Sequence, residues 1–261
     1  MVKIFVCTAL LLLAAPANAM HISEGILPLP WAVAWFAVVV PFVVFGIRQL
    51  LTLAREDLSV KPLVVLTAAV VFIISCISLP VPTAGTCSHL CGTGMAAILL
   101  GPWISALIAS LALLPQALLF SHGGLSTLGA NIFSMGVIGS IAGYLTFKGL
   151  RTMGVQLGPA AFFAGLQANW ATYLVTSAQL ASGTRGDEPF LALLEKIMLA
   201  FVPTQLPLGI LEGIITAGMA LLLYRKRPDI LVRMRVVDAG EVKREGKGKT
   251  AKDKGRTGKI G

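Results

Sequence analysis

The chain has 261 residues, of which 56% are hydrophobic and only 13% are charged. This composition, with a mean hydropathy of +0.84, excludes a soluble globular domain and predicts a membrane protein with several spans. The net charge of +9 does not indicate a nucleic-acid partner, because residues 225–261 alone hold 13 Lys/Arg and 5 Asp/Glu, which leaves the membrane body nearly neutral.

The N-terminal segment has the pattern of a secretory signal peptide. Lys3 precedes an apolar run, and small residues at 17 and 19 predict cleavage after Ala19, which would remove residues 1–19. Met20 would then carry a free α-amine next to His21. The amine, the deprotonated His21 amide and the His21 imidazole can lie in one plane, as Ni(II), Cu(II) or low-spin Co(II) prefers. The alternative is a histidine that merely begins a periplasmic lead-in.

The body of the chain predicts a bundle of membrane helices. The predicted spans are residues 31–53, 62–79, 88–100, 102–120, 128–147, 159–181 and 203–224. The region 95–120 could cross once, but a hairpin at Gly101-Pro102 leaves Lys148, Arg151 and the basic tail in the cytoplasm, as positive-inside charge requires. We therefore expect an all-α bundle of seven transmembrane helices in the cytoplasmic (inner) membrane. Its N-terminus would be outside and its C-terminus inside, with residues 228–261 forming a disordered basic tail.

The three histidines of the chain fall in segments that this topology places at the outer side. His89 lies in a glycine-rich loop, residues 85–94, and could add a fourth nitrogen to those of Met20 and His21. Alternatively, it is an interfacial histidine bonded to a carbonyl. His122 could close over the site as a lid or could simply be a loop histidine in water. Glu24 is close enough in sequence to fix His21 or to neutralise a metal.

Other reactive side chains have competing interpretations. Asn131 lies in a predicted span, where a buried amide either holds helices together or orients a ligand histidine. Glu212 lies in the last span; proton coupling is one interpretation, but a hydrogen bond to Thr216 or to a neighbouring helix is favoured. Cys87 and Cys91 could be a redox pair, which would make the protein a membrane thiol oxidoreductase. Their spacing instead favours packing or incidental thiols.

Four segments resemble the CbiM/NikM family of substrate-binding subunits of energy-coupling factor (ECF) transporters for cobalt and nickel. These segments are residues 20–25, 81–103, 116–136 and 203–213. The resemblance implies a transporter subunit rather than an enzyme, with a seven-helix bundle whose extra first helix carries the N-terminus into the domain. It implies Co(II) or Ni(II) as the bound substrate, no other cofactor, and Met20, His21 and His89 as metal ligands.

The resemblance also implies partners. These are a transmembrane coupling (T) subunit, paired ABC ATPases and often a small accessory membrane subunit. Membrane lipid would surround the bundle. The chain has no phosphate-binding loop motif, so ATP hydrolysis would fall to another subunit.

Two departures from the family pattern stand out. Family members often begin directly at Met-His, whereas this chain needs cleavage after Ala19. The first spans also show no clean Ala-x-x-x-Ala face for the coupling subunit. The loop sequence TCSH is slightly nearer the cobalt branch of the family, and the choice between cobalt and nickel stays open.

Overall fold

The computed structural model describes residues 18–19, 21–81, 86–120 and 122–242. Met20, residues 1–17 of the predicted signal peptide and residues 243–261 of the basic tail lie outside the described residues. Regular structure in the described part is helical, apart from three short strands, β1 (Asn18–Ala19), β2 (Ser78–Val81) and β3 (Thr86–His89).

Eight helices follow one another along the described chain. In order they are α1 (Leu29–Glu56), α2 (Val60–Ser75), α3 (Thr93–Leu100), α4 (Pro102–Leu119), α5 (Leu128–Thr152), α6 (Leu157–Thr184), α7 (Phe190–Lys226) and α8 (Pro228–Arg233). Residues Ile132–Gly139 of α5 are π-helical. By length and composition, α1, α4, α5 and α7 could each cross a membrane, and α2 is a shorter apolar helix. The fold is therefore that of a multi-pass membrane protein.

Helices α3 and α4 form a hairpin at the Gly101-Pro102 break. Gly101 has a φ of +83°, which side chains disfavour, and Pro102 opens α4. The expected helix over 88–100 is wrong at its start, because β3 continues to His89 and α3 begins only at Thr93. At eight residues α3 is about 12 Å long, too short to cross a bilayer alone. Its residues are all buried, so neighbouring helices shield it from lipid.

Small residues let α3 lie deep in the bundle. A Cβ built on Gly94 would lie 3.0 Å from Gly165 Cα and 3.1 Å from Ala168 Cβ, so α3 and α6 are in near backbone contact. The loop that carries His89 leads directly into α3. The close packing of α3 against α6 therefore helps to fix the position of the loop.

The C-terminal region is more ordered than the sequence predicts. The span expected over 203–224 belongs to a longer helix, because α7 begins at Phe190 and runs through Pro203 and Pro207 without interruption. Disorder from residue 228 is also wrong for 228–242. There α8 and the residues after it fold back on the bundle and bury three apolar side chains, Leu231, Val236 and Val237.

Charged contacts join several elements at one end of the molecule. Arg233 lies 3.4 Å from Asp57, beyond the end of α1, and Arg151 at the end of α5 pairs with Glu241. Lys148 donates a hydrogen bond to the carbonyl of Arg235. The ends of α1 and α5 therefore meet the C-terminal segment, 228–242, which follows α7. The three histidines lie together away from this charged end.

Candidate metal site

The three histidine rings of the chain lie in one cluster. The centroids of His21 and His89 are 4.4 Å apart, with the rings tilted by 35°. His122 is farther away, with its centroid 6.2 Å from that of His21 and 6.4 Å from that of His89, and its ring is nearly perpendicular to both. Segments about 70 and 30 residues apart in the chain thus bring their imidazoles together, and the predicted topology, which puts the three segments on one side of the membrane, allows this.

Strand β1, which belongs to the predicted signal peptide, pairs with the strand that carries His89. The pairing is parallel, so Asn18 lies opposite Thr86 and Ala19 lies opposite Cys87. β2 pairs with β3 on its other side, antiparallel, with Ser78 opposite His89. His89 therefore ends the central strand of a three-stranded sheet at the mouth of the bundle.

His89 has one bonded and one unbonded nitrogen. Its Nδ1 lies 2.9 Å from the carbonyl oxygen of Leu90. Because a carbonyl can only accept, Nδ1 carries the proton and Nε2 keeps its lone pair. Nε2 is buried and has no hydrogen-bond partner among the described residues. Burial lowers the pKa of His89 to about 4, although the bond to Leu90 acts in the opposite direction.

His21 is buried more completely than its position in a lead-in suggests. The residue is 2% exposed, and neither ring nitrogen has a hydrogen-bond partner within the described chain. Burial holds the pKa of His21 well below its usual value, and the neighbouring imidazoles of His89 and His122 lower it further. Buried polar atoms are nearly always bonded in native proteins, so three unbonded imidazole nitrogens side by side indicate a ligand position.

Asn131 fixes the backbone next to His21 rather than the ring itself. Its Oδ1 accepts from the Ile22 N–H at 2.8 Å, and its Nδ2 donates to the Ile22 carbonyl at 3.2 Å. The Thr127 hydroxyl donates to the same carbonyl. Both side chains are buried. Asn131 and Thr127 therefore hold the N-terminal segment in register, a role for Thr127 that the sequence analysis missed although it lies in the polar turn after His122.

The turn after His122 wraps around the N-terminal segment. A Cβ on Gly124 would lie 2.3 Å from Glu24 Oε2 and 2.5 Å from Glu24 Cα, so only glycine fits. The Glu24 carboxylate accepts the N–H of Ser126 at 3.0 Å. Hydrogen bonds from Ser126 lower the pKa of Glu24. Glu24 is thus engaged with this turn and holds His122 near His21 and His89.

Glu212 reaches the His89 loop from α7. Its Oε2 accepts the Cys91 N–H at 2.8 Å and the Asn169 side-chain amide at 3.1 Å, and its Oε1 accepts the Gly92 N–H at 2.8 Å. The expected hydrogen bond to a neighbouring element is therefore present, and its partners are the loop and α6. Nothing in the sequence near Glu212 indicates that its two loop partners, Cys91 and Gly92, lie about 120 residues away.

The cysteines do not form an accessible redox site in the described part of the chain. Cys91 is 1% exposed and packs among apolar side chains that include Val39, Ala106 and Leu113. The side chain of Cys87 lies outside the described residues. A thiol sealed from solvent is unsuited to disulfide exchange, so the packing interpretation holds for Cys91.

The cluster is not a three-side-chain metal site. Among the described residues, no group of three or more His, Cys, Asp and Glu side chains is arranged to hold a metal ion. The buried, unbonded nitrogens belong to His21 and His89 alone, since His122 stands apart and is only half-buried. A metal held here would need further donors besides the side chains of the described residues.

Comparison with known proteins identifies the family. The family described as "Cobalt uptake substrate-specific transmembrane region" (CbiM) matches residues 21–230. The chain belongs to the CbiM family. The match begins at His21 and ends within α8, so it covers all of the membrane helices described above.

Named relatives agree with this assignment. The chain is 66% identical over 230 residues to the "Cobalt transport protein CbiM" of Geobacter sulfurreducens; the match covers 88% of this chain but only 66% of that protein. It is 50% identical over 218 residues to the CbiM protein of Sorangium cellulosum, covering 84% of this chain and 97% of the relative. The chain thus spans about two thirds of the longer relative and nearly all of the shorter one.

Solved structures share the fold. A crystal structure titled "transition metal transporter" is 26% identical, with a TM-score of 0.67, and the match covers 78% of this chain and 92% of that one. A truncated transition metal transporter is 25% identical, with a TM-score of 0.68. The helix arrangement of this CbiM-family chain is therefore one already seen in membrane metal transporters.

Proposed function

We propose that the chain is the substrate-binding membrane component of an ECF-type importer. It captures Co(II) or Ni(II) at the outer face through its mature N-terminus and passes the metal inward when coupled to partner ATPases. The observation that carries this proposal is the pair of buried imidazoles, His21 and His89, whose free nitrogens lack partners in the described chain. Met20 would supply the amine and His21 the amide and imidazole, with His89 as the fourth ligand.

The ring separation supports square-planar binding. Amine, amide and imidazole occupy three consecutive corners, so the fourth corner adjoins the His21 imidazole. If each ring nitrogen binds a metal at about 2 Å, imidazoles at adjacent corners have centroids roughly 4–5 Å apart. The observed separation of 4.4 Å fits this arrangement, whereas both distances to His122 are longer.

The protonation state of the site also supports metal capture. Burial keeps His21 and His89 neutral at physiological pH, so neither ring must release a proton before it binds a metal. Nitrogen donors favour transition metals over Mg²⁺ and Ca²⁺, which prefer oxygen. His122 would act as a lid, while Glu24 and Asn131 hold the N-terminal segment in place. The metal is the transported substrate, and no separate cofactor is proposed.

The distribution of charge supports seven spans. Two ion pairs, Arg151 with Glu241 and Arg233 with Asp57, lie at one end of the bundle, away from the histidines. They hold basic residues of α5 and of the segment 228–242 at that end. A hairpin of α3 and α4 permits this grouping of basic residues at one end, with the N-terminus outside and the basic end in the cytoplasm. Residues 1–19 would be removed as a signal peptide.

The proposed partners are those that the resemblance to ECF subunits implies, and the sequence itself has no phosphate-binding loop motif. A transmembrane coupling subunit and ABC ATPases would drive transport, and a small accessory membrane subunit would complete the complex. The basic tail would lie against anionic lipid, where each Lys or Arg contributes about 1 kcal/mol.

Uptake of radioactive Co(II) or Ni(II) by cells that also express these partner subunits tests the proposal. His21→Ala should reduce uptake to the background of cells lacking the protein. Replacing Cys87 and Cys91 together with serine should keep most uptake, since neither thiol is a proposed ligand. Loss of uptake in the double serine variant, with His21→Ala unaffected, would instead favour thiol chemistry.

A further inference from the structure

We infer that Glu212 is a positioning residue for the metal site and acts on His89 through a single peptide group, that between Leu90 and Cys91. The inference rests on the proposed role of His89 as a ligand. It assigns a function to a buried acid that touches neither a metal nor a histidine ring. We call the path from Glu212 through this peptide group to His89 the relay.

The first step of the relay is the pair of hydrogen bonds that Glu212 accepts from the loop. The side chain is 2% exposed, and both carboxylate oxygens accept backbone N–H groups, from Cys91 and Gly92, at 2.8 Å each. Asn169 donates to Oε2 as well. Two parallel bonds and a third from α6 leave the carboxylate little freedom to rotate, so the two N–H groups have fixed directions.

The second step is the geometry of the peptide group. The Cys91 N–H and the Leu90 C=O belong to the same planar unit, and the described chain contains no cis peptide bonds. In a trans peptide the N–H and C=O point in opposite directions. When Glu212 fixes the Cys91 N–H, it therefore also directs the Leu90 carbonyl to the other side of the loop.

The third step is the bond from His89. Nδ1 lies 2.9 Å from that same Leu90 carbonyl oxygen, which sets both the ring orientation and the tautomer. Nε2 is then the unprotonated nitrogen, and it is the one left without a partner in the described residues. Metal-binding histidines are commonly oriented by a carboxylate or carbonyl on the other ring nitrogen. Here the Leu90 carbonyl bonds the ring nitrogen directly, and the Glu212 carboxylate acts on that carbonyl through one peptide group.

Replacement of Glu212 by glutamine should break the relay with little change in shape. A glutamine offers one acceptor oxygen and one NH₂ group to two N–H donors, so one loop bond is lost and replaced by a donor–donor contact. We expect E212Q to weaken Ni(II) binding to the purified mature protein about 10–100-fold. We also expect the ¹⁵N NMR signals of metal-free, histidine-labelled protein to change from a single Nδ1–H tautomer at His89 to a mixture.

Two controls separate positioning from a general loss of packing. Tyr173→Phe removes the hydrogen bond that the Tyr173 hydroxyl of α6 donates to the Met198 carbonyl of α7. This bond joins the helices that carry Asn169 and Glu212 without involving the loop, so affinity and tautomer should stay unchanged. E212Q added to His89→Ala should cause no further loss of affinity, because Glu212 acts through His89. A purely structural residue would lower affinity equally in both backgrounds.

Each outcome decides between the two claims. If His89→Ala loses tight binding and E212Q binds as the unmodified protein does, with an unchanged tautomer, the relay is wrong and the proposed function stands. If His89→Ala binds normally, the proposed ligand set fails and the relay fails with it. Should E212Q not fold, E212D keeps the charge but withdraws the carboxylate by one methylene; unchanged affinity and tautomer in E212D would equally overturn the relay.

Discussion

The His89 loop and the C-terminal segment 228–242 both pack against the long helices of the bundle, yet their contacts differ in kind. The loop is held by two buried hydrogen bonds from its backbone N–H groups to Glu212 and by the pairing of β3 with β2. The C-terminal segment is held by apolar side chains and by ion pairs that are partly exposed, such as Arg233 with Asp57. Directional buried bonds fix atoms in position, whereas apolar burial and surface ion pairs mainly attach a segment.

This difference corresponds to two requirements of the proposed function. A square-planar site needs its nitrogens placed to within a fraction of an ångström, so the loop is fixed at the level of single peptide groups. The inner end needs only to keep the charged segment on the bundle. Substitutions at the histidine end should therefore change metal binding strongly, and changes in the C-terminal segment should change it little.

The largest expected effect comes from blocking removal of the signal peptide. In the precursor the Met20 nitrogen is an amide, so the site loses its amine donor. Ala19→Arg should abolish tight Ni(II) or Co(II) binding without unfolding the bundle, as judged by metal titration and circular dichroism of the purified protein. Ala19→Gly, which keeps a small residue at the cleavage position, should be processed and should bind normally. A precursor with an intact signal segment and full affinity would refute the ligand set.

The next effect distinguishes the two remaining histidines of the cluster. His89→Ala removes a ligand and should abolish high-affinity binding. His122→Ala should weaken it only about 10–100-fold, as expected for a residue outside the ligand shell. Isothermal titration of both purified variants measures this. The reverse order, with His122 indispensable and His89 dispensable, would show that the fourth ligand is assigned to the wrong loop.

A smaller effect is expected from crowding the turn that holds the N-terminal segment. A methyl group at Gly124 would meet Glu24 at 2.3–2.7 Å, so the segment carrying His21 must shift. Gly124→Ala should lower metal affinity about 10-fold or more. Gly149→Ala, at a helical position with no atoms within 4 Å, is the matched control and should bind as before. Equal affinities in the two variants would mean that this turn does not position His21.

The smallest effect should come from the tail. Truncation after Val237 removes Glu241 and its pair with Arg151, which is partly exposed and is expected to contribute at most about 1 kcal/mol to stability. Metal affinity should not change, while the midpoint of thermal unfolding falls slightly. A large loss of affinity would place the C-terminal segment near the metal site and contradict the proposed topology.

The sequence predicted those features that depend on local composition and charge. The chelating N-terminus, the grouping of the three histidines and the break at Gly101-Pro102 all follow from residue type, spacing and the placement of basic residues. The grouping of the histidines and the break at Gly101-Pro102 are present in the structure. The chelating N-terminus stays a prediction, because Met20 lies outside the described residues.

The errors have a common physical cause, which is contact between distant segments. Helix α3 starts five residues later than predicted because β2 and β3 pair, a choice that local hydropathy does not record. Residues 228–242 are ordered because Leu231, Val236 and Val237 find a surface on the bundle, although the surrounding charge favours disorder. The loop partners of Glu212 lie about 120 residues away, so the function inferred for it could not be predicted.

X-ray absorption of the Ni(II)-loaded mature protein at the nickel edge tests the central claim most directly. The account predicts a square-planar site with only nitrogen neighbours, two of them imidazoles, and the loss of one imidazole contribution in His89→Ala. A sulfur neighbour from Cys87 or Cys91, six-fold coordination, or a spectrum unchanged by His89→Ala would contradict it.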